Sequence, residues 1–174
     1  CLKAMGKSIS RKFVERVPED ELALKNGRAW WLPVFPVVHP RKNLRLVFDS
    51  SAVYNGTCLN EELLQGPDQM NRLKGVLLRF REDKVAYVGD IEAMFYSFHL
   101  NNEHRDYLRF WWFRDNDPDQ DIVQWRARVH IFLNTSSPAI AAFALRYAVD
   151  TAPDPVPEAR RFLCDNFYVD DGLG

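Results

Sequence analysis

Three carboxylates stand where acids are costly. Asp90 closes the apolar run Val85-Ala-Tyr-Val-Gly89, and Asp170 and Asp171 follow Asn166-Phe-Tyr-Val169. A carboxylate beside a core is unfavourable unless it is exposed, hydrogen-bonded or bound to a cation. Two adjacent acids at a tight turn also repel one another, and a divalent cation relieves that. Hard oxygen ligands of this kind suit Mg²⁺. Asp-Asp-Gly is equally ordinary turn chemistry. The decision rests on whether Asp90 meets the doublet in space, which two neighbouring strands of one sheet would achieve.

Other candidates carry less. His39, His99, His104 and His130 lack metal-ligand spacing with Cys1, Cys58 and Cys164, so they read as structural. The odd, sparse cysteines argue against a disulfide scaffold and fit a reducing compartment. No GxxxxGK[ST] loop occurs, which removes the usual phosphate cradle of an unrelated phosphotransferase. Asn55-Gly-Thr57 and Asn134-Thr-Ser136 match the glycosylation pattern, but the first residues lack a signal peptide's apolar core. Trp111-Trp112 reads as strand packing rather than a base-stacking platform.

The elements that must position these acids come next. The chain has 174 residues, with 47% hydrophobic and 27% charged, a globular composition. It holds no apolar run near the ~18 residues a membrane span needs. Residues 1–28 are polar, with short helices expected over Ser10–Glu15 and from Pro18. Trp30–Pro40 contains three prolines and is expected to be extended. Lys42–Asp49 alternates as a strand. Helices are expected over Asn60–Leu64 and Pro67–Arg81; in the second, Met70, Leu73, Val76, Leu77 and Phe80 form one stripe. Val85–Gly89 reads as a short buried strand ending at Asp90. Tyr107–Phe113 and Ile122–Ile131 read as a hairpin around Asn116–Asp121. Ser136 and Ser137 cap a helix over Pro138–Asp150. A last strand, Cys164–Tyr168, breaks at Asp170-Asp171-Gly172. Helices and strands alternate, but with a clear antiparallel hairpin the class is α+β.

Charge is uneven. Residues 1–50 carry ten Lys/Arg against five Asp/Glu, and residues 101–174 carry eight against twelve. A basic front half suits a polyanion, and the bland alternative is a solvated surface.

Four stretches in order resemble one family. Tyr168-Val169-Asp170-Asp171 is the Tyr-x-Asp-Asp signature of reverse transcriptases. YVGDIEAMFYSFHL, with Phe95 five residues after Asp90, resembles their first carboxylate motif. NTSSPAIAAFAL looks like the helix under template and incoming nucleotide, and RLVFD like the fingers strand whose Arg contacts the triphosphate. Over residues from about 30 to 174 the chain is similar to the BEL/Pao class of LTR retrotransposons.

The resemblance implies a polymerase fingers–palm with a central antiparallel sheet flanked by helices, truncated before the thumb. It divides the chain into an N-terminal polar extension (1–28), a fingers part (29–84) and an incomplete palm part (85–174). It implies nucleotidyl transfer to a primer 3′-hydroxyl with two Mg²⁺ ions, Mn²⁺ being an accepted substitute. Such ions sit about 3.5–4 Å apart. Asp90 and Asp170 become the core ligands, Asp171 completes the set, and the Ile91 carbonyl faces the second ion. Phe95 becomes a steric gate favouring dNTPs, Arg45 pairs the triphosphate with help from Arg41 or Lys42, and Ser137-Pro138 lies at the nucleotide. The implied partners are RNA template, DNA primer/template duplex, dNTPs and the rest of a retrotransposon polyprotein. The implied location is the cytoplasm, within virus-like particles, and the segment by itself is expected to be inactive.

One position departs. Where family members place Gly four residues before the Ser of Ser-Pro, this chain has Leu133. Glycine lets backbone approach closely and adopt positive φ; leucine adds bulk. That supports the alternative of a catalytically decayed remnant, or a nucleic-acid-binding module.

Overall fold

The computed structural model describes residues 1–23, 27–39, 42–154 and 156–174. In chain order it contains α1 (Leu2–Ser10), β1 (Val14–Arg16), β2 (Val34–His39), β3 (Lys42–Phe48), α2 (Leu59–Glu62), α3 (Leu73–Arg79) and β4 (Val88–Asp90). Then come β5 (Arg109–Phe113), β6 (Ile122–Ala127), α4 (Ser137–Asp150), α5 (Pro157–Asp165), β7 (Phe167–Tyr168) and β8 (Asp171–Leu173). The class is α+β, with small antiparallel sheets. No helix among the described residues is long and apolar enough to cross a membrane.

Packing divides the chain into two compact units, residues 1–63 with 99–134, and residues 64–98 with 135–174. This division cuts across the motif-based segments 29–84 and 85–174.

The first unit holds the sheet β1-β6-β5 and the hairpin β2-β3. Helix α1 forms because Leu2, Met5 and Ile9 make one apolar stripe, and Met5 is fully buried. The chain then turns through Lys12 at φ 58° into β1. The helix expected over Ser10–Glu15 is therefore displaced toward the N-terminus, and Val14–Arg16 is strand, in register with Trp125–Ala127. Phe48 packs edge-on against Phe110 at 5.0 Å in the core.

Arginines are buried in this unit, and each has carboxylates beside it. Arg109, with no exposed side-chain surface, donates to Asp106 at 2.8 Å, to the Glu21 carbonyl at 2.6 Å and to Gln124 Oε1 at 3.0 Å. Arg126 donates to Glu15 at 2.8 Å, to Asp106 at 3.0 Å and to Glu21. Burial alone would lower the Arg126 pKa, but the hydrogen bonds it donates to Glu21, Asp106 and Glu15 overcome it and raise the value.

The second unit holds the sheet β4-β8-β7 with helices α3, α4 and α5. Phe162 on α5 packs edge-on against Phe167 at 5.5 Å. Gly172 permits this: a Cβ there would come within 2.8 Å of the Phe167 ring.

Three expectations are corrected here. The helix expected over Pro67–Arg81 is confined to Leu73–Arg79. Before it, Asp68 accepts from the Met70 amide at 3.0 Å, a side-chain turn that competes with the helix. The strand ending at Asp90 is not buried: Val85 is 78% and Val88 64% exposed. Among the described residues it lies at a sheet edge and pairs with β8 alone. The strand expected over Cys164–Tyr168 is helix to Asp165, started by Pro157 and Glu158 at its first turn, and only Phe167–Tyr168 is strand. Strand β7 pairs with Asp171–Leu173, which pairs in turn with β4.

Candidate metal centre

The sheet of the second unit brings the three acids together. Asp90 is the last residue of β4 and lies directly opposite Asp171, the first of β8. Asp170 sits in the two-residue turn joining β7 to β8, where Tyr168 faces Asp171. One carboxylate oxygen from each of Asp90, Asp170 and Asp171 lies within 4.8 Å of the others. Asp90 and Asp171 are exposed and Asp170 is half-buried. Among the described residues no cation pairs with any of the three. Like charges directly opposite on paired strands are destabilising.

Such a set fits a hard divalent cation. Oxygens on opposite sides of Mg²⁺ or Ca²⁺ lie roughly 4–5 Å apart, so the spacing accommodates either ion and selects neither.

The backbone holds the acids there at some cost. Val169, a β-branched residue, adopts φ 61° at the hairpin tip. That left-handed conformation costs on the order of 1–3 kcal/mol and persists only where neighbours over-determine it. One such neighbour is Ile91, whose amide donates to the Asp170 carbonyl at 3.0 Å. The Ile91 carbonyl accepts from Met94 at 3.2 Å and keeps a second lone pair. Ala93, at φ 56°, turns the chain into the 3₁₀ segment Met94–Ser97, which carries a half-buried Phe95.

The remaining expected residues fall as follows. Ser137 is buried at the first turn of α4, and Pro138 follows it, exposed, also in the second unit. Tyr168 is half-buried on β7. Arg45 belongs to the first unit, exposed on β3 opposite Val37. Arg41 lies outside the described residues, and Lys42 begins β3. Leu133, also in the first unit, adopts φ 81° in the loop before α4 and is 46% exposed. A leucine thus occupies glycine's backbone conformation. Its carbonyl accepts from Asn60 at 2.9 Å, and the adjacent Asn134 accepts from buried Ser50 at 2.5 Å.

One contact had no signal in the sequence. Asn71, in the irregular stretch before α3, donates to the carbonyls of Cys164 and Phe167, both at 2.9 Å. Its partners lie more than ninety residues away, and nothing in local periodicity marks a long-range amide.

No protein-family model matches the chain, and no curated protein gives a significant match.

Proposed function

We propose that this chain is the fingers–palm portion of an RNA-directed DNA polymerase of the LTR-retrotransposon kind, with Asp90, Asp170 and Asp171 as the ligands of its catalytic cations. The observation that carries the reading is the convergence of these three carboxylates within 4.8 Å on one antiparallel sheet, with no basic partner among the described residues. The order of the motifs around them supports it.

In the reaction the primer 3′-oxygen bonds to the α-phosphorus of a dNTP, its proton passes to solvent, and pyrophosphate leaves. Bound Mg²⁺ would supply charge neutralisation and activation of the 3′-hydroxyl. The chain's own task is positioning. Asp90 and Asp171 hold one ligand each from facing strands, and Asp170 adds a third from the turn between β7 and β8. Phe95, in the same unit as the acids, excludes a ribose 2′-hydroxyl. RNA template, DNA primer duplex and dNTPs are the partners this reading requires.

The test uses the protein that carries this chain. RNA-templated, Mg²⁺-dependent dNTP incorporation should be lost in Asp170→Asn, and incorporation that survives the substitution overturns the reading. One observation favours a second reading, a nucleic-acid-binding module without catalysis: Leu133 sets a half-exposed side chain where glycine would leave the backbone open. Duplex binding with no incorporation, and incorporation restored by Leu133→Gly, would select it.

A further inference from the structure

The hairpin that carries two of the three acids is too small to hold itself. Strand β7 has two residues and β8 three, and an isolated two-stranded hairpin of ordinary size is already marginal in water. Its tip is tied by the Ile91–Asp170 hydrogen bond. Strand β8 is also paired along its length with β4, so it is β7, with β8 alone beside it among the described residues, whose base needs a second tie.

We propose that Asn71 is that tie, a positioning residue that fixes Asp170 and Asp171 against Asp90; the inference rests on the metal-centre reading. The Cys164 carbonyl belongs to the last turn of α5, where helix geometry leaves carbonyls without intrahelical partners. Phe167 faces Gly172 between two rungs, one at Tyr168 and Asp171, the other closed by the Leu173 amide on the Asn166 carbonyl at 3.0 Å. At such a position the carbonyl turns outward from the pair. A carboxamide has two N–H donors, and Asn71 Nδ2 serves both carbonyls at 2.9 Å, joining the helix end to the strand that leads into the turn.

Asn71 is itself held. The preceding Gln69 carbonyl accepts from Arg146 of α4 at 3.0 Å, and Asp68 closes its turn on Met70. The path therefore runs from α4 through Gln69 and Asn71 to β7 and on to the turn that carries Asp170. Arg79 works from the same side, donating to Asn166 at 3.2 Å and to the Asp165 carbonyl, but it reaches the helix end and the linking residue, not β7.

The experiment compares the unaltered chain with Asn71→Ala and with Asn71→Leu, which keeps the volume and removes the donors. Two quantities are read: amide exchange at Ile91 and Leu173, and Mn²⁺ binding by its EPR signal. Losing two hydrogen bonds of ordinary worth should speed both amides and weaken Mn²⁺ binding by about tenfold in each variant. The amides of β5 and β6 should keep their rates. Val149→Ala, a truncation at a buried site on α4, should leave Mn²⁺ affinity unchanged. Unaltered exchange at Ile91 and Leu173 in Asn71→Leu overturns the proposal, as does a Val149→Ala variant that weakens Mn²⁺ equally. If the unaltered chain binds no Mn²⁺, the metal-centre reading falls, while the exchange rates still decide whether Asn71 braces the hairpin.

Discussion

The two units handle charge in opposite ways. In the first, Arg109 and Arg126 are buried, and Glu15, Glu21 and Asp106 stand beside them. In the second, Asp90, Asp170 and Asp171 are gathered on one sheet, and among the described residues no basic side chain pairs with them. A buried charge with its counter-charge explains itself: both belong to the fold. Three carboxylates held together with no counter-charge among the described residues do not, because like charges on facing strands repel. The first arrangement is complete within its unit, and under the proposed reading the second takes a divalent cation.

The largest effect should come from breaking the complete arrangement. Arg126→Ala leaves Glu15, Glu21 and Asp106 without their shared partner. Removing one member of a buried pair costs about 3–5 kcal/mol, and the low end applies because Arg105 and Arg109 still touch Glu15 and Asp106. Urea unfolding should show the loss; a change under about 1 kcal/mol would mean the network is ornamental.

The second test supplies what the acidic trio lacks. Mg²⁺ at a hundred times its dissociation constant should stabilise the chain by about 2.7 kcal/mol, and EDTA should remove the gain. In Asp170→Asn the gain should vanish. Without the ion that variant should be unchanged or slightly more stable, since one like charge has gone. Thermal melts with and without Mg²⁺ measure both. An equal Mg²⁺ shift in the variant would make the trio an ordinary acidic surface.

The smallest effect probes an exception in the first unit. His130 has its Nδ1 buried without a hydrogen-bond partner among the described residues. Burial, and then the nearby His104, hold its pKa below the usual imidazole range. The unfolded chain therefore takes up a proton at higher pH than the folded one. Stability from this group is complete above the unfolded value near 6.5 and declines as pH falls below it. His130→Gln should flatten the stability profile between pH 7 and pH 5, and an unchanged slope would assign it to other groups.

Much of this was legible in the residues. Helix α4 runs from Ser137 to Asp150 with Pro138 in its first turn, as the Ser-Ser-Pro start implies, but its N-cap Ser136 makes no side-chain capping bond and Ser137 is already helical. The β5–β6 hairpin follows from alternation, and the meeting of Asp90 with the doublet follows from two acids at the ends of neighbouring strands. The failures have physical causes. Leu2, Met5 and Ile9 spell out α1, but the polar residues between them masked the stripe. Val85-Ala-Tyr-Val looks buried because its residues are apolar, yet burial depends on neighbours, and β4 has one on a single side. The proline-rich approach to α5 hid the fact that Pro157 opens a helix. Asn71 lay beyond reach altogether, since its partners are set by tertiary placement.

Leu133 has a consequence of another kind. Its φ of 81° is imposed from both sides, by Asn60 on its carbonyl and by Ser50 on the next side chain. The loop keeps its course without help from the residue at 133. Such a site can drift: a mutation there changes what the loop shows to solvent and leaves the route of the chain alone. Reading a lost glycine as a lost shape would therefore mistake a repainted surface for a collapsed wall.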